Sequence, residues 1–140
     1  MSLTLEIITP EGIVWHGENL TMITLPTTSG EVGIMSGHIP LITLLNEGAV
    51  FVTRENSSTE SIAIDRGYAR CMGDVVSVLT EAAIDVSKLS DADIEQAKQM
   101  AKEAAEKVRN SSLDADELEK LEAQIRFTLA KELAKAKKRG

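Results

Sequence analysis

The chain changes its hydrophobic rhythm once, near residue 86. Before that point, short apolar stretches recur at roughly eight-to-twelve-residue spacing, and the first alternates apolar and polar positions with period two, as a half-buried strand does. Leu3, Leu5 and Ile7 alternate with Thr4 and Glu6, and further strand candidates lie at 13–16, 20–25, 41–45, 49–53, 61–64, 68–72 and 75–79. Pro10-Glu11-Gly12, Gly17, Asn46-Glu47-Gly48, Asp65-Arg66-Gly67 and Gly73-Asp74 supply the turns between them. Short strands at this spacing, with no helical crossovers between them, predict an antiparallel β-sandwich or barrel rather than a parallel α/β sheet.

From Ser90 onward the period becomes 3.6. Ser90 is placed to cap a helix, with Asp93 three residues on to return the bond. Ile94, Ala97, Ala101, Ala104 and Val108 form one stripe, and Asn110-Ser111-Ser112 breaks it. Asp114 and Glu117 repeat the cap pattern, and Leu118, Leu121, Ile125, Leu129, Leu133 and Ala136 form a second stripe. So short a connection makes the two helices an antiparallel hairpin. The fold class is therefore α+β: a β-sandwich over 1–86 followed by a two-helix hairpin over 87–140. The first stripe is mostly alanine and buries little area, so the hairpin needs a second surface to dock on, and its docking is cheaply reversed. A plain stabilising appendage is the simpler reading of the same helices.

Composition narrows the class. The 140 residues are 43% hydrophobic and 26% charged, a soluble globular balance. No apolar run approaches the ~18 residues that span a bilayer, and no basic segment followed by an apolar one marks a secretory signal. The single cysteine, Cys71, excludes an internal disulfide and fits a reducing compartment. The net charge of −7 is unevenly spread: residues 1–85 carry three basic and eleven acidic side chains, residues 86–140 twelve and eleven. An N-terminal half at −8 is a poor nucleic-acid binder.

The catalytic inventory is thin. His16, His38 and Cys71 have no metal-ligand spacing, no nucleophile elbow surrounds Ser36, and Gly30, Gly33 and Gly37 lack the lysine and following helix of a phosphate loop. His16 reads as a strand residue and Cys71 as core, and nothing in this set reads as an active centre. The oddest stretch is 26–40, which is glycine-rich and reads mostly as loop, yet carries Val32, Ile34, Met35 and Ile39. Apolar groups on a loop either fold back onto the sandwich or meet a partner.

Gly30-Glu31-Val32-Gly33-Ile34-Met35-Ser36-Gly37-His38-Ile39-Pro40 closely resembles the G-x-x-G-I-x-P-G-H-x-P signature of the epsilon subunits of F-type (rotary) ATP synthases. Ile64-Asp65-Arg66-Gly67-Tyr68-Ala69, followed by Val78-Leu79-Thr80-Glu81-Ala82-Ala83, is similar to that family's second signature. The resemblance spans essentially the whole chain. It implies a ten-stranded sandwich and a helical hairpin in a non-catalytic subunit of the central stalk of a proton- (or sodium-) translocating ATP synthase. Its partners would be the gamma subunit, the ring of c subunits and, through the helices, the catalytic alpha/beta hexamer. Its place would be the cytoplasmic face of a bacterial plasma membrane, or the plastid equivalent, without direct membrane insertion. No catalytic residue, metal or resident cofactor is implied.

The resemblance also implies residue roles. Gly30, Glu31, Val32, Gly33, Ile34, Met35 and His38 match the segment facing the c ring and the foot of gamma. Glu31 would accept polar or cationic groups there, while Val32, Ile34 and Met35 fill the contact or the domain's own edge. His38 either joins the contact or is a structural hydrogen-bonder. Lys131, Lys135, Lys137, Lys138 and Arg139 at the end of the second helix complement its dipole. The same charges match an inhibitory tail drawn to an acidic segment of a catalytic subunit. Two departures stand out. Ser36 replaces a proline, adding a donor and freeing φ. Some bacterial members bind ATP through an Ile/Leu-Asp-x-x-Arg-Ala motif, and here Asp93 and Ala97 are kept while Ala92 and Gln96 depart. A phosphate would then fall to Lys98 or Arg126, so ATP, with Asp93, Ala97 and Arg126 as candidate contacts, stands only as a weak regulatory ligand. An ATP-sensing module and a generic sandwich adaptor are the alternative readings.

Overall fold

The computed structural model describes residues 2–38, 40–86, 90–110 and 115–136, the side chains at 108, 110 and 132–136 excepted. Nine strands precede two helices: β1 (Leu3–Thr9), β2 (Gly12–Thr27), β3 (Gly30–Met35), β4 (Leu41–Leu45), β5 (Gly48–Arg54), β6 (Thr59–Ile64), β7 (Gly67–Met72), β8 (Val75–Thr80), β9 (Ala83–Asp85), α1 (Asp91–Asn110) and α2 (Ala115–Ala136). One layer runs β1-β8-β7-β4, and the other runs β2-β5-β6-β9 with β3 on the side of β2. Leu3, Leu5, Ile7, Leu20, Ile23, Leu25, Ile34, Val50, Val52, Ile62, Ile64, Val76 and Val78 are fully buried between the layers. The alternation read at Leu3, Leu5 and Ile7 is thus the inward face of β1.

Three features differ from the sequence reading. First, residues 13–25 are not two strands parted by a turn at Gly17 but one strand, which pairs with β1 over its first half and with β3 and β5 over its second. Gly17 sits inside it because the Trp15 indole occupies the space a side chain there would need. Asn19, with φ of 57°, absorbs the extra residue of a β-bulge opposite Leu3–Leu5. Second, the supposed loop before Gly37 is strand β3, in a hairpin with β2 from Thr27↔Gly30 to Met22↔Met35. Gly30 (φ 113°) and Gly37 (φ 86°) are the turn positions at its two ends. Third, β1 pairs antiparallel with β2 but parallel with β8, so the sandwich is not purely antiparallel. Closing the layer brings together two distant strands that run the same way.

Gly67 is required for a different reason. A Cβ there would run into the backbone carbonyl of Leu79 on the neighbouring strand. Gly67→Ala is therefore expected to destabilise the chain by about 2–3 kcal/mol, seen as a lower urea midpoint at unchanged slope.

The hairpin begins as the sequence indicates. The Asp93 backbone N–H donates to the Ser90 hydroxyl (3.1 Å), and the Ser90 N–H donates to the Asp93 carboxylate (3.0 Å). These Ser90 bonds hold the Asp93 carboxyl below its ordinary range. Ile94, Ala101 and Ala104 are buried on α1, and Leu118, Leu121 and Ile125 are half-buried on α2. Leu129 departs from the expected stripe, at 52% exposed. A second face of α2, carrying Arg126, Phe127 and Ala130, turns instead onto β5 and β6. Two demands on one helix leave Leu129 outside both contacts. The inter-helix break at 111–112, the Asp114 cap and the side chains of Val108, Leu133 and Ala136 lie outside the described residues.

Candidate functional site: the outer faces of the sandwich

Each layer of a sandwich has an outer face, and here the two are treated differently. On the β5–β6 side, Ala49, Ala63 and Val86 are buried with Ala130 of α2, and Phe51, Ile84 and Phe127 close the cluster. That explains why β5 and β6 read as nearly continuous apolar runs: Val50, Val52, Ile62 and Ile64 face the core, while Ala49, Phe51 and Ala63 face the helix.

On the opposite side, β4 and β7 also carry apolar residues at both parities. Leu45, Ala69 and Cys71 point inward, whereas Ile42 (75% exposed), Leu44 (63%), Tyr68 (47%) and Met72 (51%) point outward. Register makes these a continuous surface. Leu44 lies opposite Tyr68, Tyr68 opposite Leu79 and Leu79 opposite Ile8, forming an apolar row across four strands. Met72 pairs with Val75, which is 44% exposed, at the far end. Ile42, Arg70, Ser77 and Glu6 form the more polar row between them. A hollow of about 350 Å³ lined by Ile8, Pro10, Tyr68 and Leu79, with Arg66 and Glu81 on its wall, ends the apolar row. No described element of the chain covers this face.

The segment of residues 30–38 adjoins it. Strand alternation sends Val32 and Ile34 inward, Ile34 to 0% exposed, and leaves Glu31, Gly33 and Met35 facing out. Ile34 is therefore core and not available to a partner, and Val32 packs on the core edge. Met35 (60% exposed) pairs across the hairpin with Met22 (37%), and Gly33 leaves room for the Met22 methyl group. The Ser36 hydroxyl, a donor where the resembling family has proline, reaches Asp74 Oδ1 at 3.3 Å in the β7–β8 turn. The His38 N–H donates to the Met35 carbonyl, half-burying the residue beside the strand end. Met35, with Met22 opposite it, is thus tethered through Ser36 beside the Met72–Val75 end of the open face, while Glu31 lies at the other end of β3.

The remaining site residues are dispersed. Asp93 serves the α1 cap, and Ala97 is half-buried on the hairpin seam. Arg126 is engaged elsewhere: its Nε donates to Asp65 Oδ1 at 2.5 Å and its Nη2 to Oδ2 at 3.1 Å. The adjoining cleft of about 450 Å³ is lined by Asp65, Glu81, Asp116 and Glu119 against Lys120 and Arg126, a charge balance that disfavours a phosphate. Lys131 Nζ sits 4.8 Å from the centre of the Phe127 ring. The side chain of Lys135, and all of Lys137, Lys138 and Arg139, lie outside the described residues. Cys71 is buried, and burial pushes its thiol pKa up, so it behaves as core. No cluster of three metal-ligating side chains exists among the described residues, and no helix there is long and apolar enough to cross a membrane.

Residues 2–86 match the family described as ATP synthase, Delta/Epsilon chain, beta-sandwich domain. The chain is 40% identical over 102 residues to the ATP synthase epsilon chain of Macrococcus caseolyticus, covering 73% of each. It is 35% identical over 124 residues to that of Staphylococcus aureus, covering 89% of each. It shares its fold with a chain of the Euglena gracilis mitochondrial ATP synthase, at a TM-score of 0.72 and 22% identity, over 94% of this chain and 79% of that one. With its sandwich, its two C-terminal helices and this kinship together, the chain belongs to the ATP synthase epsilon chains, non-catalytic subunits of the enzyme's central stalk.

Proposed function

We propose that this chain couples the catalytic head to the membrane ring of c subunits by clamping its open sheet face onto the gamma subunit, and that its hairpin restrains ATP hydrolysis. The observation that carries the first half is the asymmetry of the sandwich. One outer face is apolar and covered by α2; the other is apolar and uncovered, with Leu44 and Ile42 exposed on its end strand β4. A contiguous exposed apolar surface of this kind marks a protein–protein contact. The neighbouring Glu31–Met35 strand offers a carboxylate and methionines, groups that suit a sliding or adaptable contact with the exposed loops of the ring. No resident cofactor is part of this reading, and its seat is the cytoplasmic face of a bacterial plasma membrane.

The second half rests on how little holds the hairpin down. Its apolar contact is small: three alanines, one valine, two phenylalanines and one isoleucine. The Ser61 hydroxyl, on the same face of β6 as Ala63, is buried without a hydrogen-bond partner. A small contact with an unsatisfied polar group leaves docked and released arrangements close in energy. The test compares ATP hydrolysis by the cognate catalytic head carrying the full chain or a chain ending at Val86. Hydrolysis is expected to rise severalfold with the shortened chain at equal occupancy of the head. Equal rates would leave the hairpin a structural appendage.

A further inference from the structure

We infer that Asp65 and Arg126 form a charge latch that fixes the register of the docked hairpin and sets how much of the chain is docked. The inference rests on the hairpin reading above and goes beyond it by assigning the control to two residues 61 positions apart.

The two halves of the latch are built differently. Asp65 is fixed by the sandwich itself, at the β6–β7 connection. Its N–H donates to the Ala82 carbonyl (3.0 Å), and its own carbonyl accepts the Thr80 hydroxyl (2.9 Å). Its carboxylate already accepts the Arg66 N–H at 2.7 Å and is 5% exposed. None of these bonds involves the hairpin, so the acceptor stands ready before docking. Arg126 comes from α2, one residue before Phe127 and one turn before Ala130, the two side chains that fill the apolar contact. Its fork meets both carboxylate oxygens, a geometry that a planar guanidinium satisfies in one orientation only. Alanine-lined contacts tolerate sliding, and a bidentate pair does not.

The pair also controls the balance of states. Released, both groups regain water together. Docked with one partner missing, the other stays buried without its countercharge. Loss of Arg126 therefore penalises the docked state, in which α2 lies over the nearly buried Asp65 carboxylate. The Asp65 carboxylate in turn holds the Arg126 guanidinium more firmly protonated, with Glu47 and Glu122 adding to its field. Any polyanion seeking Arg126 would have to displace Asp65, so it would release the hairpin rather than fasten it.

The test uses the full chain with spin labels on cysteines placed at the exposed positions Glu55, in the β5–β6 turn, and Glu106, on α1. Buried Cys71 stays unlabelled. The parent should give a short, narrow distance distribution. Arg126→Gln is expected to lower the docked-to-released ratio at least tenfold, and Asp65→Asn added to it should recover much of the loss by removing the stranded charge. Phe127→Ala should also release the hairpin, but without rescue by Asp65→Asn. An unchanged distribution in Arg126→Gln, or a deeper loss in the double variant, would overturn the latch. Thermal unfolding of each variant separates release from loss of the sandwich. Release by Arg126→Gln with unchanged hydrolysis by the assembled head would uphold the latch and remove the restraint reading instead.

Discussion

Leu44→Glu is expected to leave the free chain folded and to abolish its assembly into the central stalk. The side chain is 63% exposed on β4, so in the free chain the new carboxylate stands in water. Surface changes of this kind move stability by no more than about 0.5 kcal/mol. In the proposed contact the same position is the β4 end of the row from Leu44 through Tyr68 and Leu79 to Ile8. A carboxylate buried there without a partner costs about 3–5 kcal/mol, a loss of affinity of about a hundredfold or more. Affinity for gamma, read by titration calorimetry beside an unchanged melting curve, checks this. Tight binding by the variant would mean that the open face is not the docking surface.

Ile34→Ala and Met35→Ala, adjacent in sequence, are expected to act in opposite ways. Ile34 is fully buried in the sandwich core, and its truncation should cost about 3 kcal/mol through lost burial and the cavity left behind. Met35 is 60% exposed, and its truncation should leave stability within about 0.5 kcal/mol. If residues 30–35 were the loop suggested by their glycines, neither change would alter the core and both would alter the contact. Urea unfolding of the two variants therefore reports directly on whether β3 is a strand in solution. A negligible loss in Ile34→Ala would contradict the pairing of β3 with β2.

The parts of this fold set by local chemistry were legible in the sequence. Period-two alternation located the inward residues of β1, short apolar stretches between turn signals located β5, β6, β7 and β8, and the Ser90–Asp93 spacing located the reciprocal cap of α1. What escaped was decided by contacts between distant segments. Gly30, Gly33 and Gly37 read as loop, yet two of them are turns flanking a strand and the third makes room for Met22. Gly17 reads as a turn because nothing nearby in sequence shows the Trp15 ring lying over it. Asp65 reads as part of a turn, and Arg126 as a candidate phosphate contact, until the helix folds back and joins them. The open face did leave a trace. In Leu41-Ile42-Thr43-Leu44-Leu45, apolar residues occupy both parities, which a strand with one face in water has no use for. The same trace at Ala49–Val52 belongs to the face that α2 covers. Telling a covered face from an open one required the three-dimensional arrangement.

The most direct measurement is ATP synthesis driven by an ion gradient in vesicles bearing the cognate enzyme stripped of this chain and then supplied with variants of it. Full chain should restore synthesis, and a chain ending at Val86 should do so as well, because the proposed rotor contacts lie on the sandwich. Leu44→Glu should restore none at concentrations where the parent saturates. Full synthesis without the chain, or with Leu44→Glu, would contradict coupling through the open sheet face.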